Sequence, residues 1–85
     1  MVSKPKPKPQ HTFRYRRVSE QLRQWREEAH LSQRELGRRL GRLHTWVHKC
    51  ETGDRRVDPV EWLDWFLACG IEPMSALKSI PRQAK

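Results

Sequence analysis

The sequence predicts an all-α domain of five short helices, and three observations carry that prediction. Helix start and stop signals recur at helix-length intervals: Ser32 with Glu35 three residues on, Asp58 before Pro59, and glycines at 41, 53 and 70. Between these signals, apolar residues return every three or four positions. No stretch alternates apolar and polar residues for long enough to make a strand.

In chain order, residues 1–16 are set apart as a disordered basic arm. Its Lys-Pro alternation removes amide donors and pushes each residue before a proline toward extended conformations. A helical domain is expected over 17–80 and a short tail over 81–85. Ser19 is a candidate cap for a first helix running to about Ala29, with Leu22, Trp25 and Ala29 on one face. Ser32-Gln33-Arg34-Glu35 fits a capping box for the second helix, in which Leu36 and Leu40 share a face and Gly41 marks the stop. A third helix covers about Leu43 to Thr52 and ends at Gly53. The fourth starts at Asp58, with Pro59 in its first position and acids in its first turn, and runs to about Cys69. Its apolar residues span about 220° of the helix circumference, wider than one buried face requires. Trp65 or Leu67 is therefore expected to be covered by the fifth helix (Pro73 to Leu77), by residues 13–18, or by a second subunit.

Length and charge narrow the function classes. Eighty-five residues make one small domain, a better size for a binding module than for an enzyme with a deep pocket. The net charge is +8. It is concentrated: the first 17 residues hold six Lys and Arg and no acid, while the other 68 hold 12 basic and 10 acidic side chains. A basic arm on a nearly balanced domain suggests polyanions, nucleic acid first and an anionic membrane second. Two readings fit the arm: a segment that trails along phosphates or enters a minor groove, and a solubilising tail. The positive start is followed by no apolar stretch of the secretory kind, and no apolar run approaches the roughly 18 residues of a membrane span. A soluble protein is expected. Cys50 and Cys69 show no CxxC spacing and read as reduced thiols.

The segment LGRLHTWVHKCETG (Leu40–Gly53) concentrates reactive side chains and admits three readings: a metal site, a nucleophile with its base, or a helix that reads DNA. On a helix His44, Thr45, His48, Lys49 and Thr52 share a polar arc, and Leu43, Trp46, Val47 and Cys50 an apolar one. Cys50 falls about 160° from His48. The two histidines four apart lack a third ligand, and the thiol lies out of reach of an imidazole base. The third reading fits: a short helix, a glycine turn, and a helix with an exposed polar arc make a helix-turn-helix.

The stretch SQRELGRRLGRLHTWVHKCETGDRRVD resembles the core of the Cro/repressor-type (XRE-like) helix-turn-helix family. The matching positions are Ser32-Gln33, Glu35-Leu36, Leu40-Gly41, Val47, Glu51 and Gly53, and the likeness extends over about Leu22 to Leu77. It implies a lambda-repressor-like domain with the helix-turn-helix at helices 2 and 3. The family pattern places His44, Thr45, His48 and Lys49 at base edges in the major groove. It places Gln33 at a phosphate; Thr52, Arg42, Arg55 and Arg56 are further phosphate candidates, with Arg38 and Arg39 behind them. An ion pair between Arg26 and Glu51 is implied as a structural link. The departure is at the start of the third helix, where Leu43 cannot cap: either Thr45 caps a shorter helix or the turn is satisfied otherwise. Trp46 either packs back on the domain or presses on sugar-phosphate.

The expected function is therefore a sequence-specific regulator of transcription acting on double-stranded DNA, a repressor, with no cofactor, no metal and no enzymatic activity. The resemblance further implies a homodimer through Trp65 or Leu67, a palindromic operator, and a cytoplasmic, nucleoid-associated protein of bacterial or phage origin. The competing reading is an antitoxin-like or adaptor module that binds a protein partner and touches DNA secondarily.

Overall fold

The computed structural model describes residues 13–78 and 80. The Lys-Pro segment 1–12 and the tail 81–85 lie outside them. The described residues form five helices and no strand: α1 Phe13–Glu28, α2 Gln33–Leu40, α3 His44–Thr52, α4 Pro59–Cys69 and α5 Pro73–Lys78.

The first helix starts six residues before Ser19, inside the segment assigned to the arm. Ser19 is no cap; it lies within α1 and is buried. The chain from Phe13 to Arg17 contains no helix breaker, and its register is anchored by a distant contact. The Tyr15 hydroxyl accepts the Val57 N–H at 2.9 Å, from the loop before α4. The inward stripe is Val18, Leu22 and Trp25, all buried. The helix closes at His30, whose φ of 59° is left-handed, while the Arg26 Nη1 donates to the Leu31 carbonyl at 2.8 Å.

The second and fourth helices start as their sequences predict. The Ser32 hydroxyl accepts the Glu35 N–H at 3.0 Å, and the Glu35 carboxylate accepts the Ser32 N–H at 2.9 Å. Asp58 and Glu61 repeat the exchange at 2.8 and 3.1 Å. Each box satisfies two backbone donors that a helix start leaves unpaired.

The core gathers Leu22, Trp25, Leu36, Val47, Cys50 and Phe66 around Trp65. Trp25 meets Phe66 edge-to-face, with centroids 5.0 Å apart and planes at 86°. Trp65 is fully buried, and its indole N–H donates to the Leu22 carbonyl at 3.3 Å. This corrects its assignment to a subunit interface: α1 covers Trp65 from within the chain. Leu67 does stay 63% exposed, with Leu63 and Val60 one and two turns before it. The surplus apolar arc of α4 is thus a stripe of three aliphatic residues rather than a tryptophan.

Candidate nucleic-acid interface

The second helix ends at Gly41, whose φ of 70° is left-handed and costs least without a Cβ. The chain turns through Arg42 and Leu43 into α3. Gly37, inside α2, sets how closely the turn can approach: the Arg42 N–H donates to the Gly37 carbonyl at 2.8 Å. A Cβ on Gly37 would lie 2.6 Å from the Arg42 carbonyl oxygen. The two helices are close-packed through that missing methyl group.

Leu43 is the N-cap residue of α3 by backbone conformation, and no side chain caps the helix. Its carbonyl accepts the Trp46 N–H at 3.0 Å, and its own side chain is 75% exposed. Thr45 does not cap; it is exposed on the second helical residue. Val47 and Cys50 are fully buried and Glu51 nearly so, while Thr45, His48, Lys49 and Thr52 are exposed and His44 is half-buried.

Two clefts flank this outward arc. One, of about 470 Å³, is lined by Arg42, Leu43, Thr45, Trp46, Lys49 and Arg55. Its floor is Trp46, which packs back toward Trp65 with centroids 6.3 Å apart. The guanidiniums of Arg42 and Arg55 lie over the indole at 4.6 and 5.0 Å. Glu61, from the first turn of α4, binds both of them. Arg55 donates through Nη1 and Nη2 at 2.9 and 3.1 Å, and Arg42 through Nη2 at 3.3 Å. The fork of Arg55 holds the Glu61 carboxyl below the usual glutamate range. Of the arginines expected at phosphates, Arg55 is thus committed to a carboxylate at both terminal nitrogens. Arg42 shares that partner while remaining 44% exposed at its side chain. Arg56 is exposed, its guanidinium 5.3 Å from the Tyr15 ring centroid. Arg39 reaches back to the Ala68 carbonyl at 2.7 Å.

The second cleft, of about 400 Å³, is lined by Arg23, Arg26, Gln33, His48, Glu51 and Thr52. Behind it the Arg26 Nε and Nη2 donate to the two carboxylate oxygens of Glu51 at 2.6 and 3.0 Å. The Gln33 amide nitrogen lies 3.0 Å from Glu51 Oε1 and 3.3 Å from His48 Nδ1. The Thr52 hydroxyl donates to the Lys49 carbonyl at 3.3 Å.

The nucleophile reading of this segment meets a packed core instead. Burial pushes the Cys50 thiol up to about 12 and the half-buried Cys69 thiol to about 11, the wrong direction for a nucleophile. Among the described residues no three His, Cys, Asp or Glu side chains gather as a metal site would require. No described helix is long and apolar enough to cross a membrane.

Two participants escaped the sequence reading. Glu61 was legible as an acid in a first turn, yet nothing local shows that it gathers arginines from 6 and 19 residues away. Gly37 carries no local signal beyond the cost of a glycine inside a helix.

A short helix, a turn pressed against its interior glycine, and a following helix with its polar arc outward define a helix-turn-helix domain. Comparison with known proteins identifies the group. The helix-turn-helix domain family matches residues 17–72. A solved XRE-family like protein from Pseudomonas syringae pv. tomato str. DC3000 is 34% identical, with a TM-score of 0.73, covering 79% of this chain and 82% of that one. No functionally curated protein matches the chain. The chain belongs to the XRE-like helix-turn-helix family. It is a DNA-binding regulator in the general sense that membership carries, in a family that is typically non-enzymatic.

Proposed function

We propose that the protein is a sequence-specific transcriptional regulator that reads the major groove of double-stranded DNA with α3. The observation that carries this reading is the split of α3: Thr45, His48 and Lys49 exposed, Val47 and Cys50 wholly buried. Lys49 can donate to guanine O6 and N7, and Thr45 can hydrogen-bond or touch a thymine methyl. His44 joins them at the edge of the arc. Gln33, Thr52, Arg42 and Arg56 supply phosphate contacts that fix register. Arg55 contributes chiefly by holding Glu61 and shaping the cleft. A domain seated on its operator occludes other proteins from the same DNA, which makes repression the simplest output. Residues 1–12 add a sequence-independent electrostatic contribution. The place of action is the cytoplasm, at the nucleoid.

The exposed stripe of Val60, Leu63 and Leu67 supports a homodimer, and a two-fold dimer requires a palindromic operator. The groove beside that stripe, which shares Leu63 with it, favours a second reading. An apolar groove of about 440 Å³, lined by Tyr15, Val18, Trp62, Leu63, Phe66 and Leu77 among others, would suit a protein partner of an antitoxin-like or adaptor module.

Selection of bound sequences from random duplex DNA at two salt concentrations tests the proposal. A two-fold-symmetric motif is expected, with affinity falling as salt rises by a log–log slope of about 0.9 per phosphate neutralised. A pool with no motif, bound as well as random DNA, would leave the protein-interaction reading standing.

A further inference from the structure

The hydrogen bonds around Gln33 determine which nitrogen of His48 carries its proton, and so what α3 can ask of a base. The Glu51 carboxylate, gripped at both oxygens by Arg26, can only accept. The Gln33 side-chain atom 3.0 Å from it must therefore be the amide nitrogen, since a carbonyl oxygen there would face another acceptor. That nitrogen has two hydrogens. One goes to Glu51 Oε1, and the other is directed to His48 Nδ1 at 3.3 Å. A donor facing Nδ1 requires Nδ1 to accept. In the neutral ring the proton then resides on Nε2, the nitrogen on the other side of an exposed imidazole.

We propose that Gln33 is a positioning residue that locks His48 as the Nε2–H tautomer, so that α3 presents a hydrogen-bond donor there, which rejects cytosine and favours guanine, the base with two adjacent acceptors. The inference rests on α3 being the base-contacting helix. Its chemistry follows from the groove. Guanine offers two adjacent acceptors, N7 and O6; adenine pairs one acceptor with an amino donor, thymine pairs one acceptor with a methyl group, and cytosine presents an amino donor. A ring free to exchange tautomers would accept from an amino group as readily as it donates to a carbonyl. The locked ring cannot. The chain of bonds also ties this surface donor through Glu51 to Arg26 in α1, which limits sideways movement of the amide.

The test has two arms on the full chain. In the first, the nitrogen-15 resonances of the His48 ring are recorded at about pH 8 by long-range proton–nitrogen correlation. This pH is above the ordinary imidazole value of about 6.5. The expected pattern is an unprotonated Nδ1 and a protonated Nε2. In Gln33→Ala, whose folding is checked by circular dichroism, the two nitrogens should move toward an averaged pattern. An Nδ1–H ring in the native protein, or a pattern unmoved by Q33A, overturns the inference. In the second arm, bound sequences are selected with the native protein, His48→Ala and Q33A. One position of the motif should prefer guanine by roughly three- to tenfold, the worth of one net hydrogen bond. H48A should flatten that position. Q33A should weaken its preference about threefold or more, while lowering affinity evenly elsewhere through the lost phosphate contact. A position that depends on His48 yet keeps its preference in Q33A overturns the positioning role. A motif with no His48-dependent position overturns the guanine assignment. No motif at all with the native protein defeats the α3 reading itself, and the nitrogen spectrum still decides the tautomer.

Discussion

Arg26 on α1 and Glu51 on α3 face each other in a two-point ion pair, 2.6 and 3.0 Å between donor and acceptor, buried behind the exposed face of α3. The Glu51 side chain is only 2% exposed. Removing the arginine strands a carboxylate in the interior with Gln33 as its remaining partner. Arg26→Met should therefore cost about 3–5 kcal/mol, a large share of the roughly 5–15 kcal/mol that holds a domain together. Urea denaturation measures it. Restoring an apolar match with the double variant R26M/E51L should recover much of the loss. If R26M unfolds at the native midpoint, the pair does not hold α1 to α3.

Gly37→Ala should destabilise the domain by about 1–3 kcal/mol, the usual cost of forcing extra volume into a packed site. The obstacle is the Arg42 backbone carbonyl at 2.6 Å, which cannot rotate aside as a side chain would. A melting temperature unchanged from the native protein would mean that α2 shifts freely under the turn.

Acid should weaken the cleft around Trp46. The Glu61 carboxyl is lowered in the folded protein foremost by its bonds to Arg55, so the folded state favours the charged form. Its contribution is complete above the ordinary glutamate value of about 4.3 and is lost as pH falls through the lower folded value. Glu61→Gln should be less stable than the native chain near neutral pH, and the gap should narrow at about pH 3. A gap that persists in acid would assign the effect to packing rather than charge.

Thiol reagents at about pH 8 should modify Cys69 slowly and Cys50 only as the protein unfolds. Both thiols are raised by burial, to about 11 and about 12, and Cys50 is wholly inaccessible. Denaturant should make both titrate at once. Rapid labelling of Cys50 in the folded protein would contradict the packed core described above.

Trp65 and Leu67 should separate core from interface. Trp65→Ala should cost about 3–5 kcal/mol, as truncation of a buried aromatic does. Leu67→Glu should change the stability of the single chain by no more than about 0.5 kcal/mol. By sedimentation at tens of micromolar, the same substitution should shift the proposed homodimer toward monomer. A native chain that sediments as a monomer removes the dimer proposal directly.

Local chemistry made much of the fold legible. Ser32 with Glu35 and Asp58 with Pro59 announce helix starts because a cap is a contact among residues three apart, and glycines 41, 53 and 70 end helices for a reason contained in one residue. The two faces of α3 follow from helical periodicity, which is why Cys50 could be separated from His48 without coordinates. Ser19 misled because a hydroxyl that caps one helix can equally sit inside another; the true start depends on Tyr15 reaching Val57, 42 residues away. Trp65 misled for a related reason. An arc of about 220° says that α4 has more apolar surface than one face needs, but not which part the rest of the chain will cover.

By itself, then, the sequence determined the five-helix architecture, the turn between α2 and α3, and the outward set Thr45, His48 and Lys49, all consequences of spacing along one chain. Only the tertiary structure decided that Trp65 is core, that Glu61 gathers Arg42 and Arg55 over Trp46, and that Gln33 stands between Glu51 and His48. Each of these depends on side chains from different helices meeting in space, and such meetings are set by the packing of the whole domain.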